Sequence, residues 1–167
     1  MIFNSVILDK AQEVSQLLRS KNLKITFAES CTGGLLSSLF TEIKGASDVF
    51  DCGFVTYSNE AKISILDIDP EILNIFGAVS SQTAEAMAIG VLAKSKSNIA
   101  ISITGIAGPN GGSWSKPVGL VYIGLASKNK VIIKKFNFLG SRSQIREATI
   151  ISALDIIYNN TNTISIN

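Results

Sequence analysis

Strand-like apolar runs alternate with helix-periodic segments along the first two-thirds of the chain, and this alternation limits the folds that it can adopt. The strand-like runs cover residues 23–27, 49–56 and 99–103. Helices are predicted before the first run, at residues 4–19, and between the runs, at 35–43, 58–66, 69–77 and 80–92. Apolar residues recur at helical spacing in the first, second and last of these, and residues that favour a helix start mark the other two. Strands that alternate with helices are typical of parallel sheets, because each helix returns the chain to the same end of the sheet.

The last third of the sequence has a different order. Two strand-like runs, at 118–126 and 131–138, are joined by a short polar turn, which predicts an antiparallel hairpin. A final helix is expected over 141–158. We therefore predict one α/β domain over residues 1–160, with a mixed sheet and a C-terminal tail at 161–167.

Composition excludes several classes of protein. The 167 residues are 46% hydrophobic and 17% charged, which argues against disorder. The net charge of +2 is scattered, and no basic block favours a nucleic-acid partner. No apolar run approaches the length of a membrane span, and no export signal opens the chain. With two cysteines and no disulfide framework, we expect a cytoplasmic protein.

The sequence contains no histidine, and this absence narrows the possible chemistry. Ser-His-Asp and Cys-His arrangements are excluded, as are histidine-based zinc sites, and two cysteines cannot form a four-cysteine zinc site. We therefore expect no metal. A general base near neutral pH has to be a Lys, Tyr, Asp or Glu with a shifted pKa, or an activated water.

A polar turn at residues 28–34 joins the first strand to the next helix and carries Ser30, Thr32, Gly33 and Gly34. Backbone amides at a helix start can stabilise an anion, and adjacent glycines allow close approach of a ligand. One interpretation is a catalytic turn with Ser30 as nucleophile and Thr32–Gly34 near the substrate. The alternative is that Ser30 or Thr32 only caps the helix, and Glu29 is either a charged neighbour of the base or a capping carboxylate. Cys31 is a weaker candidate nucleophile because no histidine accompanies it.

Lys62 is the candidate base for such a serine. It lies near the start of a short helix, where a cation is unfavourable, and this position would lower its pKa. A neutral lysine amine can accept the serine proton, as in Ser-Lys enzymes. Tyr57, at the end of the preceding strand, could relay or position that proton. The alternative is a solvated Lys62 and an ordinary strand-end tyrosine.

Two further segments could bind substrate. The glycine-rich loop that starts at Thr104 and Gly105 could offer amides to a phosphate or an oxyanion, or it could simply form a tight crossover. It matches neither a P-loop nor a dinucleotide fingerprint. Arg142 and Arg146 share a face of the last helix and could clamp a phosphate, or both could be solvated. Because ligands bind at the carboxyl ends of strands, the turns at Ser30, Tyr57 and Thr104 should meet at one sheet edge.

Several motifs together resemble one family, the CinA C-terminal domain family, whose characterised members are nicotinamide-nucleotide amidohydrolases of the PncC type. The similarity covers roughly residues 6–158. The motifs are Ala-Glu-Ser-Cys-Thr-Gly-Gly at 28–34, Gly-Phe-Val-Thr-Tyr-Ser-Asn-Glu-Ala-Lys at 53–62, Gly-Ala-Val-Ser at 77–80, Thr-Gly-Ile-Ala-Gly-Pro at 104–109, Gly-Gly-Ser at 111–113 and Lys-Pro-Val-Gly at 116–119.

The resemblance implies a three-layer α/β/α domain that forms a homodimer or a higher homo-oligomer. It also implies deamidation of nicotinamide mononucleotide to nicotinic acid mononucleotide and ammonia, without a cofactor. By motif, Ser30 corresponds to the nucleophile, and Tyr57 and Lys62 correspond to its proton-handling partners. Thr104 with its glycines matches a substrate-binding loop, and the segment from Arg142 to Arg146 matches a phosphate-side arginine segment.

The sequence departs from the family before the last helix. Phe-Leu-Gly-Ser-Arg stands at 138–142 where the family commonly has Phe-Pro-Gly-Asp-Arg, so the arginine is kept but the proline and aspartate are not. Two alternatives therefore stay open: a nucleotide- or phosphate-binding module without turnover, and an amidohydrolase that acts on a different amide.

Overall fold

The computed structural model describes residues 3–164. The described strands are β1 (Ile25–Glu29), β2 (Phe50–Val55), β3 (Ile99–Gly105), β4 (Leu120–Ser127) and β5 (Lys130–Asn137). The described α-helices are α1 (Ser5–Ser20), α2 (Leu35–Thr41), α3 (Asn59–Leu66), α4 (Pro70–Phe76), α5 (Ser81–Ala93) and α6 (Arg142–Thr161). A short 3₁₀ helix, which the sequence did not predict, spans Ala46–Asp48.

The five strands form one mixed sheet in the order β2-β1-β3-β4-β5. β2, β1 and β3 run parallel, whereas β4 and β5 add as antiparallel neighbours. The mixed sheet and the β4–β5 hairpin were both predicted and are confirmed. The parallel strands are joined through helices, as the alternating pattern requires, and the antiparallel pair needs only a two-residue connection.

Helices cover both faces of the sheet, which confirms the predicted α/β class and gives it three layers. α1, α2 and α6 enclose the larger apolar core on one face, where the ring of Phe27 packs 4.9 Å from that of Phe40 and 5.1 Å from that of Phe50. α3, α4 and α5 cover the other face through a smaller cluster that includes Ala28, Leu66 and Met87. Burial of these side chains provides the main stabilisation of both layers.

Small residues bring α5 close to the sheet and fix the position of α3 beside it. The hydroxyl of Ser102 in β3 donates to the carbonyl of Ala84 in α5 at 2.6 Å. A Cβ on Gly90 of α5 would lie only 2.3 Å from the carbonyl oxygen of Leu66, the last residue of α3. This close contact therefore requires glycine at position 90 and sets the path of α3, which carries Lys62.

The last helix is longer than the sequence predicted. It continues to Thr161, which is fully buried and whose hydroxyl donates to the carbonyl of Ile157 at 2.6 Å. The predicted domain boundary at residue 160 therefore falls inside α6, and positions 165–167 of the predicted tail lie outside the described residues. Within residues 3–164, no helix has the length and apolar character needed to cross a membrane.

Candidate active site

The ends of the three parallel strands meet at one edge of the sheet, as predicted. Glu29, the last residue of β1, is aligned with Val55 of β2 and Ile103 of β3. Ser30 follows directly, and its amide donates to the carbonyl of Ile103 at 3.0 Å. The register of the sheet therefore places the Ser30 turn between the end of β2 and the loop that follows β3.

Lys62 reaches this edge from α3 and contacts Ser30. Its Nζ lies 3.1 Å from the Ser30 hydroxyl, and it donates to the carbonyls of Thr56 at 2.8 Å and Tyr57 at 3.2 Å. The Lys62 side chain is fully buried and Ser30 is only 8% exposed. Within the described residues no carboxylate pairs with the Lys62 amine. The arrangement matches a nucleophile hydrogen-bonded to a base.

Burial lowers the pKa of Lys62 from its usual value of 10.5. Removal from water disfavours the charged form, and the neighbouring Cys31 opposes this shift only as a smaller effect. The sequence predicted the direction of the shift from the position of Lys62 near a helix start. The larger cause is desolvation, which the sequence did not reveal. A neutral amine can accept a proton from Ser30.

Cys31 is not set up as a nucleophile. The residue is buried, and burial raises the pKa of its thiol to about 11. The thiol therefore stays protonated near neutral pH, and thiols react as nucleophiles in their thiolate form. Burial therefore argues against Cys31 as the reactive group of this turn, and the role of Ser30 stays a prediction.

A cavity of about 250 Å³ opens in front of Ser30 and Lys62. Its other lining residues come from the turn after β1, the segment after β2, the segment before α5, the end of β3 with the loop that follows it, and the start of α6. They are Cys31, Tyr57, Ala78, Val79, Thr104, Gly105, Ile106, Ala107, Gly108, Asn110, Gly111 and Arg142. A cleft that ends on a buried polar pair is the usual form of a small-molecule site.

Tyr57 lies at the rim of the cavity. Its side chain is 61% exposed, and its hydroxyl accepts a long hydrogen bond of 3.5 Å from Arg142. Within the described residues, that hydroxyl has no hydrogen bond to Ser30 or Lys62. Tyr57 contacts the Lys62 amine through its backbone carbonyl, and a proton-handling role for its hydroxyl stays a prediction.

Glu29 caps α2, which settles how the polar turn is built. Its fully buried carboxylate accepts hydrogen bonds from the amides of Gly34 (3.1 Å), Leu36 (3.1 Å) and Ser37 (2.8 Å) and from the Ser37 hydroxyl (2.7 Å). The N-cap itself is Gly34, with φ of 90°. The prediction that Ser30 or Thr32 caps this helix is therefore wrong, because a carboxylate already compensates the helix start.

The same capping changes the predicted roles of Thr32, Gly33 and Gly34. None of the three lines the Ser30 cavity. The Gly34 amide is taken by Glu29, and the Gly33 amide donates to the Ser30 carbonyl at 3.0 Å. The expectation that these glycine amides hold substrate or an oxyanion is corrected. Within residues 3–164, the amides of Cys31 and Thr32 have no acceptor on another residue.

Glu29→Gln should destabilise the protein by about 3 kcal/mol, because hydrogen bonds to a buried charged acceptor each contribute roughly 1.5–3 kcal/mol. The side-chain NH₂ group of the glutamine would also face backbone N–H donors, with no acceptor between them. The measurement is the free energy of unfolding in urea, with exposed Glu60→Gln in α3 as the matched control. Equal unfolding free energies for the two variants would contradict the proposed role of the cap.

Thr104 and Gly105 line the cavity, as predicted for substrate-binding residues, although their binding role stays a prediction. The Thr104 hydroxyl donates to the carbonyl of Ala78 at 2.6 Å, so its oxygen is left as an acceptor toward the cavity. A Cβ on Gly105 would lie 2.7 Å from the Leu120 carbonyl oxygen. Gly105 is therefore required by the close approach of β4.

The two arginines of α6 separate, which corrects the prediction of a shared clamp. Arg142 lines the Ser30 cavity, and its Nη1 donates to the Gly108 carbonyl at 2.9 Å. Arg146, one turn later, donates to the Thr32 carbonyl and lines a different cavity. The shared helix face brings both arginines near the Ser30 turn, but they lie on opposite sides of it.

Sequence reasoning missed the groups that hold Lys62. The acceptors are the backbone carbonyls of Thr56 and Tyr57, and no residue type signals the direction of a carbonyl. It also missed Ala78 and Val79 as cavity walls. Their position directly before the Ser80 cap of α5 could have suggested a loop near the site.

The comparisons with known proteins agree on one family. The family model described as the CinA C-terminal domain matches residues 8–161. A protein of Caldicellulosiruptor bescii named for competence-damage induction is 55% identical over 84% of this chain and 34% of its own length. A CinA-like protein of Endomicrobium trichonymphae is 50% identical over 88% of this chain and 34% of its own length. The chain thus spans about a third of the length of these curated relatives.

Solved structures match over nearly the whole fold. The competence/damage inducible protein CihA from Agrobacterium tumefaciens is 43% identical, with a TM-score of 0.92 over 94% of this chain and 96% of that one. A competence damage-inducible protein from Klebsiella pneumoniae is 30% identical, with a TM-score of 0.91 over 93% of this chain and 97% of that one. These names refer to induction by competence or damage and state no enzymatic reaction.

Proposed function

Because the chain belongs to the CinA C-terminal domain family, we propose that it is an amidohydrolase that converts nicotinamide mononucleotide to nicotinic acid mononucleotide and ammonia. The observation that carries the proposal is the buried contact of 3.1 Å between the Lys62 amine and the Ser30 hydroxyl. A desolvated lysine without a carboxylate partner is poised to act as a base. A structural lysine of this kind would be expected to pair with an acid.

The proposed reaction proceeds in two halves. Lys62 takes the proton of Ser30 as the serine oxygen attacks the carboxamide carbon. The tetrahedral intermediate then collapses, the C–N bond breaks, and the protonated Lys62 returns its proton to the leaving nitrogen, which departs as ammonia. In the second half, water gives its proton to Lys62 and attacks the acyl ester. Collapse releases the carboxylic acid and restores Ser30.

Backbone amides are the proposed oxyanion donors. The Cys31 amide belongs to the residue after the nucleophile, a position that supplies such a donor in other hydrolases, and Cys31 lines the cavity. The Ser30 amide is excluded because it donates to Ile103. A second donor could come from Ala107 or Gly108 on the opposite wall, since neither amide has a backbone acceptor within residues 3–164.

The charges around the cavity suit a nucleotide with a cationic ring. Arg142 lies at the rim, next to the start of α6, where a positive field favours the substrate phosphate. The Tyr57 ring at the same rim could stack on the pyridinium. A cationic ring near Lys62 would in turn favour the neutral amine that the reaction needs.

The test is incubation of the purified wild-type protein with nicotinamide mononucleotide, with ammonia and the acid product both measured. Nicotinamide riboside, which lacks the phosphate, is the matched comparison. We expect release from the mononucleotide and a kcat/KM at least about tenfold lower for the riboside, since a charge-assisted phosphate contact contributes about 1.5–3 kcal/mol.

The outcomes separate the alternatives. Ammonia from neither compound, with tight binding of the mononucleotide, would support the binding module and rule out the enzyme. Ammonia from other carboxamides but not from the mononucleotide would keep the amidohydrolase and reject the substrate. The segment at 138–142, which leads into α6 and departs from the family pattern, is the reason to test both of these alternatives.

A further inference from the structure

Arg146 lies behind the Ser30 turn, on the side away from the proposed substrate. Its Nη2 donates to the Thr32 carbonyl, and a Cβ on Gly33 would lie 3.8 Å from the same nitrogen. Arg146 does not line the Ser30 cavity. The guanidinium is therefore in contact with the backbone of the turn and separate from the reacting groups.

The bond from Arg146 completes the fixation of one peptide unit. The Thr32 carbonyl and the Gly33 amide belong to the same peptide group. That amide donates to the Ser30 carbonyl at 3.0 Å, while the carbonyl accepts from Arg146 and, at 3.3 Å, from the Leu35 amide. Glu29 holds the next amide, that of Gly34, so the turn is anchored on each side of Cys31 and Thr32. The amides of Cys31 and Thr32 themselves have no acceptor on another residue within the described chain.

The charge of Arg146 has no carboxylate partner among the described residues. Its Nε is buried without a hydrogen-bond partner, and within residues 3–164 no carboxylate lies within ion-pair distance of it. An arginine kept near a turn for stability alone would be expected to use more of its five donors. Its positive charge also stands behind the site at which an oxyanion would form.

A second cavity gives access to Arg146 from the other side. It has a volume of about 610 Å³ and lies between α1, α2 and α6. The lining residues are Phe3, Asn4, Ile7, Leu35, Ser143, Arg146, Glu147 and Ile150. A small cation can therefore reach the position of the guanidinium without entering the Ser30 cavity.

We infer that Arg146 is a positioning residue for the reaction: it fixes the Thr32–Gly33 peptide and thereby holds the Cys31 amide in place to stabilise the oxyanion. The inference rests on the proposed function. It assigns Arg146 an effect on the chemical step and none on substrate binding, in contrast to Arg142, which lines the substrate cavity. Removal of Arg146 should loosen the turn while the Ser30–Lys62 contact stays in place.

The test is chemical rescue. Arg146→Ala should lower kcat for nicotinamide mononucleotide by about 10²-fold, because small displacements of catalytic groups have effects of this size, with KM within about threefold of wild type. Millimolar guanidinium chloride should occupy the space left by the arginine side chain and raise kcat of the variant by at least about tenfold. Arg142→Ala is the comparison, with a raised KM and no rescue of kcat. Arg146→Met keeps the aliphatic stem and replaces the alanine variant if that variant does not fold.

A second readout does not depend on the substrate. Modification of Ser30 by diisopropyl fluorophosphate, followed by mass spectrometry, reports the reactivity of the serine, and it should slow in Arg146→Ala and recover with guanidinium. If the wild type is modified but releases no ammonia, the proposed function fails and the role of Arg146 is still measured. Equal modification rates in wild type and variant, or a change in KM alone, would overturn the inference.

Discussion

Ser30→Ala is expected to lower kcat for nicotinamide mononucleotide by roughly 10⁴- to 10⁶-fold, the range found when the nucleophile of a serine hydrolase is removed. The alanine lacks the oxygen that attacks the carboxamide, so no acyl-enzyme can form. KM should change little, because the phosphate contact proposed for Arg142 is at the other end of the cavity. The measurement is steady-state ammonia release, together with mass spectrometry for the acyl-enzyme after rapid quenching.

The matched control is Ser64→Ala, which removes an exposed hydroxyl from α3 and should leave kcat at the wild-type value. Ser30→Ala should keep the fold, since the contacts of Ser30 to Ile103 and Gly33 are made by its backbone. Ammonia release that persists in Ser30→Ala would reject covalent catalysis and point to direct attack by water.

Lys62→Met should lower kcat/KM by roughly 10³- to 10⁵-fold, since general-base catalysis and activation of the nucleophile are lost together. Methionine fills a similar volume in the buried site but cannot accept a proton. Lys96→Met, at an exposed position, is the matched control and should behave as wild type. Activity of Lys62→Met within tenfold of wild type would assign the base to another group.

The pH dependence follows from the lowered pKa of Lys62. In the wild type, kcat/KM should rise with pH as the amine loses its proton, with a midpoint below 10.5. Cys31 adds no step in this range because its pKa is raised to about 11. Between the folded pKa and 10.5 the unfolded chain binds the extra proton, so stability also rises with pH and falls as pH drops. Both slopes should disappear in Lys62→Met.

Most of the helices and strands could be predicted from the spacing of apolar residues, because burial of those residues sets that spacing. Alternating apolar residues at 23–27 and the largely apolar run at 99–103 gave strands, and short polar spacing gave the β4–β5 hairpin. Where the prediction ended too early, at Tyr158, the cause was the polar sequence Asn159-Asn160. The helix continues to the buried Thr161 because tertiary contacts stabilise its last turn, and helix propensity does not include such contacts.

The sequence indicated some of the residues that line the candidate site, but not the hydrogen bonds that hold them. The contact between Ser30 and Lys62 could be anticipated because, without histidine, only lysine, tyrosine and carboxylates were available as bases, and the catalytic roles of both residues stay predictions. The spacing of Arg142 and Arg146 indicated a shared helix face, yet one turn of helix is enough to place them on opposite sides of the Ser30 turn. Glu29 had two possible roles in the sequence, and only the positions of the α2 amides decide for the cap.

The two carbonyls that hold Lys62 have a consequence for how this site tolerates change. Substitutions at positions 56 and 57 alter side chains but leave both carbonyl acceptors where the backbone puts them. The hydrogen bonds of the Lys62 amine to these carbonyls are therefore largely insensitive to substitution at positions 56 and 57. They depend on the path of the backbone from β2 into α3. A designer who transfers this chemistry to another scaffold would have to copy that path, since grafting Ser30 and Lys62 alone would leave the amine without its acceptors.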